Sequence, residues 1–157
     1  MWEKLTPVPY DEIPEDKLNH LFAAINETIA ESKKRLAKTS HGYTAKTYRD
    51  GIFWLKKMNE VVTGKCPLDP DYDVGTALEQ FSIKVAEEYD VEYSNILSDI
   101  GYLFDQCFFP KRAAVVDHFR AIEEAEARRA KGENVEVPEL SNDDIQALTG
   151  IRYPDDE

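Results

Sequence analysis

The sequence predicts an all-α protein with a single domain, a helical bundle of five main helices and a short C-terminal helix. Apolar residues recur every three to four positions in five segments, which is the period of an α-helix. Alternation with period two lasts no longer than four or five residues, which is too short to indicate a sheet. A chain of 157 residues with 42% hydrophobic residues is long enough to bury one core.

The N-terminal residues 1–13 contain Pro7 and Pro9, which disfavour helix at the residues before them, so we expect an extended arm. The first helix is predicted to begin at Pro14. The next two residues, Glu15 and Asp16, are acids that the positive end of the helix dipole stabilises. It ends before Gly42. Its apolar positions predict the buried face: Leu18, Leu21, Phe22, Ile25, Ile29 and Leu36.

The second helix is expected from about Thr44 to Thr63. Gly51 within it costs about 1 kcal/mol relative to alanine, so we expect a close helix crossing or a local break there. Prolines and aspartates then predict a loop over residues 65–73. The third helix is predicted to cover Val74 to Tyr89.

The fourth helix is predicted from about Tyr93 to Phe108, with a regularly repeating apolar face. Pro110 opens a fifth helix at about residues 111–131, because proline suits the first turn of a helix. The residues expected to face inward from it are Val115, Phe119 and Ile122.

Three regions follow from these helices. Residues 1–13 form the arm and residues 14–132 the helical bundle. Residues 133–157 are predicted to contain an acidic connector, a short helix at 143–149 and a tail, because a capping serine or asparagine precedes that segment.

Charge is unevenly distributed along the chain. Its 31 acidic and 19 basic residues give a formal net charge of −12. Residues 33–65 carry a net charge of +7, whereas the segments on either side, residues 1–32 and 66–110, carry −5 and −9. The acidic and basic segments either pack against each other or form separate recognition surfaces.

A dense array of carboxylates can occupy a basic groove that binds phosphates, with the same long-range steering and counterion release. We therefore expect a small acidic regulator or inhibitor that occupies the basic surface of a larger, nucleic-acid-handling protein, of the anti-restriction or anti-defence type. Direct binding of nucleic acid is disfavoured, because the net charge repels phosphate. The partner-binding acids are expected to be exposed: Asp69, Asp71, Asp73, Glu87, Glu88, Asp90 and Glu92.

A hydrophobic anchor for such a partner is predicted at Phe53. On a helical wheel it points away from the apolar face of the second helix. The residues around it are mostly cationic: Lys46, Arg49, Lys56, Lys57 and Glu60. An aromatic ring among cations is typical of a docking site, but the N-terminal arm could also cover it.

An alternative is a structural protein that forms homo-oligomers. The arm carries Trp2 and Tyr10, which could dock on a neighbouring subunit. In that case deletion of the arm would abolish the oligomer.

A second alternative is a magnesium-dependent hydrolase. Glu87, Glu88 and Glu92 precede a helix that carries Asp99, and this pattern resembles the all-α nucleotide pyrophosphohydrolases. The resemblance, which covers some fifteen residues, implies carboxylates that gather Mg²⁺ and polarise a diphosphate.

Motifs for other chemistry are missing from the sequence. It has no glycine-rich phosphate loop, G-x-S-x-G or C-x-x-C motif, so we expect no catalytic residues, no metal and no cofactor. We expect a cytoplasmic protein that does not bind membranes, because no signal peptide or membrane-spanning segment is present. Cys107 is predicted to be a core thiol, and Cys66 lies in a loop.

Overall fold

The computed structural model describes residues 6–69, 73–88 and 90–138. These ranges contain five α-helices and no strand, so the predicted all-α class is confirmed. The helix limits lie within two residues of those predicted, and the predicted helix at 143–149 lies outside the described residues. The helices are α1 (Glu15–Lys38), α2 (Gly42–Val62), α3 (Val74–Glu88), α4 (Val91–Phe108) and α5 (Pro110–Ala130).

Local side-chain chemistry explains where several helices begin and end. Asp90 precedes α4, and its carboxylate accepts a 3.0 Å hydrogen bond from the backbone N–H of Tyr93. Pro110 occupies the first turn of α5, where its missing N–H costs nothing. Gly64 follows α2 with a φ of +77°, a conformation that L-residues with a side chain rarely adopt.

The helices enclose one apolar core. Helix α1 packs against α2 and α4, α3 packs against the same two helices, and α5 packs on α4. The core therefore lies between α1 to α4, with α5 outside it. The large side chains that are fully buried there are Leu21, Ile25, Leu55, Met58, Leu78, Val85, Tyr93, Leu97, Phe104 and Phe108.

Gly51 lies where the Tyr93 side chain of α4 reaches the backbone of α2. A Cβ at this position would overlap the Tyr93 hydroxyl, and two carbons of that ring would lie only 3.0 and 3.2 Å away. Helix α2 continues through Gly51 without interruption. The local break expected as one outcome is therefore not observed, and the close contact at this glycine is with a side chain of α4 and not with its backbone.

Two phenylalanines that the helical period placed in the core are exposed. Phe22 on α1 is 40% exposed and Phe119 on α5 is 46% exposed. Along α5 the buried residues are Ala113 and Ala125, because this helix packs mainly on α4 and presents small side chains to it. In both α1 and α5 the apolar residues spread over a wider face than the neighbouring helices cover, so the phenylalanine at the edge of that face is exposed.

The described part of the N-terminal arm packs on its own chain. The backbone N–H of Val8 donates to the carbonyl oxygen of Phe108 at 2.8 Å, and the Tyr10 hydroxyl donates to that of Val62 at 2.9 Å. Ile13 is buried in the core. The arm is not fully extended as predicted, because Tyr10–Glu12 form one turn of 3-10 helix.

Both cysteines are free thiols. Cys107 is buried, as predicted, and burial raises the pKa of its thiol, whereas Cys66 is exposed. Among the described residues no helix is long and apolar enough to cross a membrane.

Candidate binding surfaces

Asp73, one of the predicted partner-binding acids, lies inside the protein. Its carboxylate accepts hydrogen bonds from the backbone N–H and the hydroxyl of Thr76, at 2.8 and 2.9 Å, and so caps the start of α3. Arg112 on α5 forms an ion pair with it at 3.3 Å, and the Asp73 side chain is only 11% exposed. Asp73 therefore joins α3 to α5 and is not an exposed acid.

The same arginine holds a second carboxylate, that of Asp105 on α4, at 2.8 Å. Burial raises the pKa of Asp105 to about 7, although the neighbouring Arg112 guanidinium lowers it. Desolvation thus outweighs the ion pair at this site.

Asp90 is also engaged within the protein. Besides capping α4, its carboxylate accepts hydrogen bonds from Tyr48 at 2.9 Å and from Arg35 at 3.1 Å. Burial, together with the bond to Asp90, raises the pKa of Tyr48. Asp90 thereby connects α1, α2 and α4, and its side chain is 25% exposed.

The remaining predicted acids are distributed over different parts of the molecule. Asp69 is exposed in the loop after α2, and Glu87 is exposed near the end of α3. The side chain of Glu92 on α4 is 77% exposed and forms an ion pair with Arg35. Asp71 and the side chain of Glu88 lie outside the described residues. The expectation of seven exposed acids is therefore wrong for Asp73 and Asp90.

A different set of acids comes together where α1 packs against α4. Arg35, whose side chain is 18% exposed, bridges Glu31 of α1 and Glu92 of α4. Glu27 lies one turn before Glu31, and Asp99 lies two turns after Glu92, so each continues the same side of its helix. We call this surface the acidic seam and define it as Glu27, Glu31, Glu92 and Asp99.

The acidic seam joins the two acidic segments of the sequence, residues 1–32 and 66–110. Sequence reasoning missed the contribution of α1, because a contact between residues about sixty positions apart leaves no local pattern. The available signal was the i, i+4 spacing of Glu27, Glu31 and Arg35 on a polar face of α1.

A cavity of about 380 Å³ opens farther along the same pair of helices. Its floor contains the buried Leu21 and Cys107, and its rim is polar and exposed. The residues that line it are Asp16, Lys17, His20, Leu21, Leu103, Gln106 and Cys107. This seam cavity thus combines an apolar floor with a polar edge.

Phe53, whose exposure the sequence left open, is 51% exposed. Its ring contacts Trp54 edge to face at 5.2 Å between centroids, and the ammonium group of Lys57 lies 5.3 Å from the ring centre. The basic stripe, as we name this exposed face of α2, consists of Lys46, Arg49, Phe53, Lys56 and Lys57.

A second cavity, of about 370 Å³, lies beside Phe53. Trp54, Leu68 and Val74 line it, together with Lys57 and Cys66. The described part of the arm lines a neighbouring cavity of about 450 Å³, next to Phe108. Residues 6–13 therefore pack beside this region and leave Phe53 exposed.

No group of three or more His, Cys, Asp or Glu side chains is placed to hold a metal ion within the part of the chain that the structure describes. Glu87 and Glu92 are both exposed there, and Glu92 is engaged by Arg35. These contacts supply no support for the hydrolase alternative.

Comparison with known proteins gives no match. No protein-family model, curated protein or solved structure is similar to this chain at a significant level. The surfaces themselves therefore carry the functional argument.

Proposed function

We propose that the protein is an acidic regulator that binds the basic surface of a larger, nucleic-acid-handling protein, and that it binds through the acidic seam. The observation that supports this proposal most strongly is the meeting of two acidic segments along α1 and α4. Within this surface Glu31 and Glu92 are held by the same arginine, Arg35.

The electrostatics of the seam favour a cationic partner. Arg35, whose side chain is only 18% exposed, pairs with Glu31 and Glu92, and Glu27 and Asp99 add two exposed carboxylates along the same helices, so the seam carries more negative than positive charge. The net charge of −12 adds long-range attraction to a basic protein. A partner that normally binds phosphates offers the arginines and lysines to pair with these carboxylates.

Asp69 and Glu87 remain proposed as additional contacts, because both are exposed. Asp73 and Asp90 contribute indirectly, since they hold α3, α4 and α5 in place. In this proposal Phe53 belongs to a separate surface, because it lies on α2.

Affinity capture from a cell lysate tests this function. The bait would be the wild-type protein, with nuclease added to remove partners held only through nucleic acid. A seam variant, Glu27→Gln/Asp99→Asn, neutralises two exposed carboxylates for which no ion pair is found in the described structure. The control, Glu123→Gln/Glu126→Gln, removes the same charge from exposed positions of α5.

The proposal requires a basic protein that wild type and control retain, that the seam variant loses, and that heparin displaces. Heparin supplies the polyanion that occupies a phosphate-binding groove. Equal retention by all three baits, or recovery of the bait alone, would contradict it.

A further inference from the structure

We propose that the protein also associates with a second copy of itself, and that Phe53 of one copy inserts into the seam cavity of the next. This inference concerns regulation of the surface named above, because self-association covers the acidic seam. The contact itself does not depend on the proposed function.

The inserting side chain is exposed and surrounded by positive charge. Phe53 is half-exposed on the side of α2 that faces away from the core. Arg49, Lys56 and Lys57 lie within one helical turn of it, on the same exposed face. Exposure of such a large ring is unfavourable in water, so burial against a second surface is favourable.

The seam cavity has the size and polarity to receive this ring. Its volume of about 380 Å³ exceeds the roughly 150 Å³ in which an apolar protein cavity binds benzene. Leu21, Leu103 and Cys107 offer apolar contacts, and the edge carries one carboxylate, Asp16, beside one ammonium group, Lys17. The opposite end of the seam supplies further negative charge.

The spacing of the charges matches on the two surfaces. Lys46 precedes Phe53 by seven residues on α2, and Asp99 precedes Gln106, at the cavity, by seven residues on α4. Seven helical residues span about 10 Å. With Phe53 in the cavity and α2 parallel to α4 of the next copy, Lys46, which pairs with Asp50 of its own helix at 3.3 Å, comes within reach of Asp99.

The contact joins two different surfaces, so each copy uses its basic stripe toward one neighbour and its acidic seam toward another. Such a head-to-tail contact produces rings or open chains. One helix face buries little area, which corresponds to weak association, with a dissociation constant on the order of 10–100 µM. At low concentration the seam is therefore free for a basic partner.

Sedimentation velocity of the full chain tests the contact, from about 5 to about 300 µM protein at low salt. The stripe variant is Phe53→Ala/Arg49→Glu, and the seam variant is Glu27→Lys/Asp99→Lys. Wild type is expected to form larger species as its concentration rises. Each variant alone should remain monomeric, because it lacks one of the two surfaces.

Mixing the two variants provides the decisive measurement. Each retains the surface that the other lacks, so an equimolar mixture should form dimers and stop there. Phe119→Ala, which truncates a phenylalanine of similar exposure on α5, should associate like wild type.

Two results would overturn this inference: a wild-type protein that stays monomeric throughout, or a mixture of variants that stays monomeric. In both cases the inference fails even if the basic stripe captures a different acidic protein. The stripe variant also separates this proposal from the proposed function, because it retains the acidic seam and should still capture the basic partner.

Discussion

The hydroxyl group of Tyr93 occupies the space that a side chain at Gly51 would require. This hydroxyl lies 2.7 Å from Ser32 Oγ, and the Ser32 hydroxyl donates to the carbonyl oxygen of Thr28. Tyr93 is therefore the donor in its bond to Ser32. Burial raises the pKa of Tyr93 to about 12, so the phenol stays protonated and can donate. Tyr93 of α4 thus bonds to Ser32 of α1 and packs against Gly51 of α2.

We predict that Gly51→Ala destabilises the protein by about 1–3 kcal/mol, although alanine favours helix by about 1 kcal/mol. Tyr93→Phe should cost about 1 kcal/mol through the lost hydrogen bond. In the double variant the cost of alanine should shrink, because the clashing oxygen is gone. Urea denaturation measures all four proteins, and strictly additive free energies would refute the clash.

A second prediction separates structural acids from surface acids. Asp90→Ala should destabilise the protein by about 2–4 kcal/mol, because α4 loses its cap and Arg35 and Tyr48 lose a buried partner. Glu92→Ala should cost less than about 1 kcal/mol, since its exposed ion pair is screened by water. Chemical denaturation of both variants checks this, and similar losses would contradict it.

The sequence was sufficient to predict the helices and much of the core. Apolar residues at helical spacing located α1 to α5, and proline and glycine marked several of their ends. The glycine within α2 indicated a position with no room for a side chain, which Tyr93 of α4 occupies. These features depend on neighbours within a few turns, so they leave a local pattern.

The roles of the acids depended on tertiary contacts. Asp90 and Glu92 are two residues apart and both pair with Arg35, yet Asp90 also accepts from Tyr48 and is 25% exposed, whereas Glu92 is 77% exposed. Asp69 and Asp73 lie in the same acidic loop of the sequence, and nothing local shows that Arg112 of α5 covers Asp73. Which carboxylate meets a buried arginine is decided by helix packing, and composition cannot show it.

The stability of the protein should depend on pH through Asp105. Its pKa is about 7 in the folded protein and near the ordinary 3.8 in the unfolded chain. Between these values the folded state binds a proton that the unfolded state lacks. The free energy of unfolding therefore falls as pH rises from about 4 to 7. Asp105→Asn should remove that dependence.

The measurement is the difference in unfolding free energy between Asp105→Asn and wild type, from about pH 5 to pH 8. The variant should gain roughly 1 kcal/mol of stability relative to wild type for each pH unit up to about pH 7. Asp99→Asn, which removes an exposed carboxylate from the same helix, serves as the control. A constant difference for Asp105→Asn would disprove the assignment.

The two cysteines should differ strongly in reactivity. Cys66 is exposed, whereas Cys107 is buried and burial raises the pKa of its thiol. Since the thiolate is the reactive form, one thiol per chain should react quickly with a disulfide reagent and the other only after unfolding. Replacement of Cys66 by serine should abolish the fast phase, and its persistence would show that Cys107 is accessible.

The most direct test of the acidic seam is the salt dependence of the captured partner's affinity for three proteins: wild type, Glu27→Gln/Asp99→Asn, and the α5 control. Wild type and control should lose at least about tenfold in affinity between about 50 and 200 mM salt. The seam variant should bind more weakly at low salt and show a shallower dependence, because fewer charge pairs form. Identical curves for all three proteins would contradict binding through the acidic seam.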